Sequence, residues 1–216
     1  MTVIVIQNVS KIIQKNQVLS DISVKMLSGK IYGLQGINGS GKTMLMRTII
    51  GLIRPTEGEV IIDGKVIGKD IEFPQSIGFL LESPSFLNRY SGIKNLRMLA
   101  SFQKKIGIKE ILATLDLVGL DEEASQKKYQ KYSLGMKQRL GIAAAIMEKP
   151  DIVILDEPTN SLDTDGVILV KDILQKQKER GALIIIACHE PQILKELSDT
   201  IIKLETGKVV SIETLD

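Results

Sequence analysis

The chain has 216 residues, 44% apolar and 25% charged, with a formal net charge of +2, one cysteine and one histidine. That length suits one large domain or a domain with a subdomain, and the composition is that of a soluble globular protein with a real core. The near-neutral balance gives no support to nucleic-acid binding driven by net charge, and a single cysteine excludes an internal disulfide and fits a reducing compartment. The longest apolar runs, such as "ALIIIAC" (182–188), fall far short of the roughly 18 residues a membrane span needs, and "MTVIVIQNVS" has no leader-like pattern, so a cytosolic chain is expected.

In chain order, "VIVIQNV" (3–9) and "VLSDISVKM" (18–26) read as strands joined by a turn at 14–16, an antiparallel layer at the N-terminus. "KIYGLQG" (30–36) is a strand entering a Gly-rich loop, with a helix over 42–52. A strand and turn follow at 58–65 and another strand at 76–82. Residues 92–148 change character: three helix-like stretches and no clear strand mark an inserted helical subdomain. "DIVILD" (151–156) is continuously apolar until its end, as a strand buried on both faces should be. A helix (164–179), a strand (182–188), a helix (190–198), a strand (200–205) and a short strand near 208–212 complete the chain. The alternation predicts an α/β fold with a mostly parallel, doubly wound sheet interrupted by the helical block.

"GINGSGKT" (36–43) matches the phosphate-loop pattern G-x-x-x-x-G-K-[ST] between a strand and a helix. Small residues from Gly36 through Asn38, Gly39, Ser40 and Gly41 let backbone N–H groups converge on phosphate oxygens, and the helix beginning near Lys42 adds its dipole. Lys42 reaches the β and γ phosphates of ATP, and the Thr43 hydroxyl ligates Mg²⁺. "DIVILDEP" then puts Asp156 and Glu157 at a strand's carboxyl end, the ligand edge of such a sheet. Asp156 is placed to hold Mg²⁺ through its water shell, and Glu157 to polarise a water for attack on the γ-phosphate. Cys188 and His189 follow a strand in succession and point to opposite faces, so they do not form a nucleophile pair, and Cys188 is a packing residue.

"YSLGMKQRLGIAAA" (132–145) narrows the reading. It resembles the signature L-S-G-G-Q of the ATP-binding-cassette (ABC) family, with Ser133 and Gly135 kept while Leu134 and Met136 replace the middle glycine and the glutamine. "EPTNSLD" (157–163) resembles the family's D-loop, ending at Asp163, and His189 stands where the family keeps its switch histidine. The resemblance implies a single domain over 1–216: a P-loop NTPase (RecA-like) core with its β layer from 1–82 and 150–216, and a helical subdomain, 83–149, carrying the signature. It implies that His189 contacts the γ-phosphate and attacking water, and that Ser133, Gly135 and Asp163 belong to the nucleotide site. The signature is expected to lie away from its own phosphate loop. A head-to-tail dimer with a second copy would then close two ATPs between the subunits and drive a separate membrane permease, holding the chain at the inner face of the membrane. Similarity is greatest to ATPases of bacitracin and lantibiotic immunity or export systems. A soluble non-transport ATPase and a weakly hydrolysing regulatory module are the alternatives.

Two positions depart from the family pattern. The adenine-stacking aromatic is replaced at Ile13 or Ile12 by an aliphatic side chain, leaving ATP-versus-GTP preference open. The Q-loop glutamine becomes Glu82, which either ligates Mg²⁺ with an added negative charge or is a surface residue at a strand end. Phe86, Leu87 and Tyr90 beyond it either anchor a permease or pack on the subdomain.

Overall fold

A computed structural model describes residues 1–215. Two sheets share the core. Strands β1 (Val3–Ile13), β2 (Asn16–Leu27), β4 (Glu57–Ile62) and β5 (Lys65–Val66) form an antiparallel sheet in the order β2-β1-β4-β5. The expected hairpin is present, but both strands are longer than the alternation indicated. Bulges in β1 between Ile6 and Ile12 break the period of two and hide its last residues from a pattern reading. The turn is only Gln14–Lys15, both at positive φ (48° and 70°), the twist a two-residue hairpin demands.

The second sheet contains β3 (Lys30–Gln35), β6 (Ile77–Leu80), β7 (Ile152–Asp156), β8 (Leu183–Ala187), β9 (Thr200–Glu205) and β10 (Lys208–Thr214). Its order is β10-β9-β3-β8-β7-β6, parallel except for the β10–β9 hairpin. Every residue of β7 and β8 is buried, because helices cover one face and the antiparallel sheet covers the other. The period of two sorts their side chains. Val153, Leu155, Ile184 and Ile186 pack with helices α5 (Leu134–Ile146), α6 (Thr164–Glu179) and α7 (Pro191–Leu197). Ile152, Ile154, Leu183 and Ile185 pack with α1 (Lys42–Ile50) and the first sheet.

Between β6 and β7 the chain is helical. Helices α2 (Gly92–Gln103), α3 (Ile108–Leu117) and α5 are the expected ones; a short α4 (Glu122–Gln126) and a 3₁₀ turn at Tyr129–Lys131 were not read from the sequence, being too brief for helical periodicity to show. Phe86 sets its ring edge-on to Tyr129 at 5.3 Å and packs on the core, whereas Leu87 is exposed. Tyr90 lies beneath the Lys94 ammonium at 4.1 Å. The three residues therefore do not form one apolar anchor. None of the described helices is long and apolar enough to cross a membrane.

The helical block is pressed onto the sheet at Gly78 in β6. A Cβ there would lie 1.6 Å from the Ala145 carbonyl oxygen of α5, a backbone atom that cannot swing aside. Gly78→Ala should therefore destabilise the fold by about 3 kcal/mol, lowering the melting temperature by roughly 6–10 °C. A thermal melt followed by circular dichroism checks this.

Candidate functional site

Four neighbouring strands end at one edge, and each delivers part of the site. The loop after β3 carries Gly36–Gly41, the residues after β7 and β8 are Glu157 and His189, and Glu82 stands two residues past β6. In register, Asp156 faces Ala187 across β7 and β8, and the Glu157 amide donates to the Ala187 carbonyl at 2.9 Å. The two acidic residues and the histidine are thus placed by the sheet ladder itself.

The loop is built for close approach. Gly39 and Gly41 take left-handed φ of 80° and 108°, and a Cβ on Gly36 would meet Ser40 Oγ at 2.4 Å. Helix α1 starts behind Gly41 with no side-chain cap and no acidic residue in its first turn, so its N-terminal amides and dipole are open to an anion. Ser40 Oγ is buried without a hydrogen-bond partner. Lys42 is also buried, its Nζ donating to the carbonyls of Gly36 (2.7 Å) and Ile37 (3.2 Å). Orphaned amides, an orphaned buried hydroxyl and a buried ammonium together make a phosphate cradle.

Beside it, Thr43 Oγ1 donates to Asp156 Oδ2 at 2.7 Å, although the two are 113 positions apart. Asp156 is only 5% exposed. No cluster of three or more metal-ligating side chains occurs among the described residues. One carboxylate and one hydroxyl suit a magnesium ion that completes its shell with phosphate oxygens and water, and do not suit a metal needing an all-protein cage.

Glu157 sits at φ +52°, a conformation unusual for a non-glycine residue. Its carbonyl accepts from Gln138 Nε2 at 2.8 Å, and its carboxylate Oε2 accepts from the His189 amide at 3.1 Å. Oε1 is buried and makes no hydrogen bond, with His189 Nε2 3.2 Å away but off the bonding line. Burial raises the Glu157 carboxyl above the ordinary carboxylate value. The His189 amide bond, the His189 ring and Lys42 pull it back, while Asp156 pushes it further up. The result is a carboxylate with one oxygen held and one oxygen left to take a proton.

These groups line a cleft of about 550 Å³ with Asn38, Gly39, Ser40, Gly41, Thr43 and Glu82. Gly36 stands behind the cleft, its carbonyl accepting from Lys42, and four further sequence candidates are not brought to it. Ile13 ends β1 beside the hairpin turn, and Val18 of β2 lines the cleft instead, leaving no aromatic ring there. Ser133 caps α5, accepting from the Met136 amide at 3.1 Å. Gly135 lies against the Ser161 carbonyl, with 3.1 Å left for a Cβ. Asp163 caps α6 through the Gly166 amide at 2.9 Å and stands 3.7 Å from Arg139. The signature helix is nevertheless not remote from its own phosphate loop: Leu134, Lys137 and Gln138 line the same cleft. Glu82 faces the cleft at left-handed φ +58°, and the strand expected to run to it stops at Leu80. Cys188 is buried against Thr159, 3.5 Å from its hydroxyl, as a packing residue, while the His189 side chain is half-exposed.

Cleft residues that the sequence reading did not assign to the site include Val18, Arg47, Lys137, Gln138, Asn160 and Ser161. Arg47 had a readable signal, since it follows Thr43 by four positions on a helix.

The ABC transporter family profile matches residues 19–160. The chain is 47% identical over 206 residues, 95% of its length and 94% of the other's, to the uncharacterized ABC transporter ATP-binding protein YybJ of Bacillus subtilis (strain 168). It is 38% identical over 210 residues to the bacitracin transport ATP-binding protein BcrA of Enterococcus faecalis, covering 96% of this chain and 68% of that one. Its fold superposes on the dimeric structure of MJ0796, a bacterial ABC transporter cassette, with a TM-score of 0.89 at 24% identity, covering 99% of both chains. A phosphate loop, a Thr–Asp pair at its base, a raised glutamate beside a histidine and a family match across most of the chain agree: this protein belongs to the ATP-binding subunits of the ABC transporter family.

Proposed function

We propose that this chain binds and hydrolyses ATP with Mg²⁺ to power a separate membrane permease that exports peptide antibiotics. The observation that carries the reading is the 2.7 Å contact of Thr43 with the buried Asp156 beneath the phosphate loop, with Glu157 and His189 alongside. Gly36 to Lys42 hold the triphosphate, and Thr43 and Asp156, with Glu82, hold its magnesium, which neutralises charge developing on the phosphates. Glu157 accepts the proton of the attacking water at Oε1. His189 orients that water and the γ-phosphate, while its amide fixes Oε2.

Ser133, Gly135 and Asp163 are assigned to the nucleotide of a facing second copy. The support is that all three lie outside their own cleft, at or beside exposed helix N-termini. Binding would then be stronger in the closed pair than in the open one, so ATP would drive closure and hydrolysis would release it. We assign residues 1–82 and 150–216 to the nucleotide core and 83–149 to the unit that carries these contacts. The permease contact is assigned to a groove of about 490 Å³ next to the cleft, where Leu52, Phe79 and Leu99 are partly exposed. On this reading the chain works at the cytoplasmic face of the membrane. The cargo class rests on relatives named for bacitracin and lantibiotic transport.

Glu157→Gln should keep ATP binding and lower the steady-state turnover by about a hundredfold or more; turnover within a few fold of the parent would remove Glu157 as the base. The same substitution reports on the raised carboxyl. A folded-state value above the unfolded one means that ionised Glu157 costs stability at neutral pH, and that this cost disappears as pH falls through the folded value and below the ordinary carboxylate range. Glu157→Gln should therefore melt higher than the parent at pH 7, by about 2 °C, with the gain fading below about pH 4. Lys42→Ala should weaken ATP at least about tenfold in calorimetry, because it deletes a charge-assisted phosphate contact.

A further inference from the structure

Arg47 has no part in the scheme above, yet its position is specific. It lies one turn after Thr43 on α1, so the two share a helix face. Its guanidinium meets Glu82 Oε1 at 2.5 Å. Glu82 is presented from a left-handed backbone at φ +58°. Both side chains line the phosphate-loop cleft, and both also line the adjoining apolar groove with Leu52, Phe79 and Leu99. The pair is therefore the wall the two cavities share.

A carboxylate at this place is an electrostatic problem. The cleft already contains Asp156 and Glu157, and a third acidic group beside a triphosphate repels it. Lys42 cannot offset Glu82, since its ammonium is turned to the carbonyls of Gly36 and Ile37. Among the described residues, Arg47 is the cation that forms an ion pair with Glu82. We propose that Arg47 is a positioning residue: it is the counter-ion that lets Glu82 stand beside the phosphates, and the magnesium that arrives with the nucleotide competes with it for that carboxylate. The proposal rests on the phosphate-loop reading and adds a charge exchange to it. With magnesium nucleotide bound, Glu82 turns to the metal and Arg47 is left uncompensated on the wall facing the groove.

A double-mutant cycle tests this by calorimetry of a non-hydrolysable ATP analogue, once with Mg²⁺ and once with EDTA. Arg47→Met should weaken binding about three- to tenfold in EDTA, the scale of a partly exposed charge pair. The loss should be smaller with Mg²⁺, which takes over Glu82, so the Mg²⁺-to-EDTA affinity ratio rises. In the Glu82→Gln background Arg47→Met should change nothing, and Arg47→Lys should retain most of the parent affinity. Two results overturn the proposal: unchanged EDTA affinity in Arg47→Met, or an equal loss in both backgrounds, which would mean that Arg47 touches the phosphates itself. Melting curves without nucleotide check folding, and Arg47→Gln substitutes if the methionine variant does not fold. The underlying reading fails separately, by parental affinity in Lys42→Ala.

Discussion

The parallel register of β3, β8, β7 and β6 is the constraint on which the site depends. Adjacent parallel strands ending together bring chain segments far apart in sequence to one edge. The 113 positions between Thr43 and Asp156 include strands β4 to β6 and the whole helical block, yet the two oxygens lie at hydrogen-bond distance because β8 holds both neighbours in step. The ladder is fixed by strands so apolar that a slip of one residue would turn a whole buried set to the other face. Precision at the edge follows from burial behind it.

That burial also sets the electrostatics. Asp156 terminates a fully buried strand, where a carboxylate needs a hydrogen-bond partner, and Thr43 supplies one. Glu157, one residue on, leaves the ladder through a left-handed backbone and keeps one oxygen unbonded. Neighbouring carboxylates thus meet different surroundings: Asp156 accepts a hydrogen bond from Thr43, while burial raises Glu157 and leaves one of its oxygens open to a proton.

Much of this was legible in the residues. The phosphate loop is local, so spacing alone identifies it, and the apolar run ending in Asp156–Glu157 marks a buried strand and its ligand edge. The antiparallel layer and the helical insertion follow from changes of period. What escaped is non-local or aperiodic. Ile13 follows from its spacing to a motif, whereas the β1 bulges and the Gln14–Lys15 turn, which no spacing shows, bring Val18 of β2 to the cleft wall. Gln138 looks like an ordinary polar helix residue until its amide is seen inside the protein, bonded to the Glu157 carbonyl. Glu82 read as a departure from a family pattern, but the arginine beside it comes from another element, and no spacing rule links positions 47 and 82. Phe86 has two faces that no spacing rule separates: it packs edge-on against Tyr129 and also lines the groove beside the cleft.

The Gln138–Glu157 bond has a mechanical corollary. α5 belongs to the helical stretch between β6 and β7, while Glu157 hangs from the sheet, and an interior amide joins the two at the Glu157 backbone. Any tilt of the insertion against the sheet must either drag that residue's peptide unit along or rupture the tether. Leverage applied at the distant helices is thereby delivered to the backbone that orients the Glu157 carboxylate.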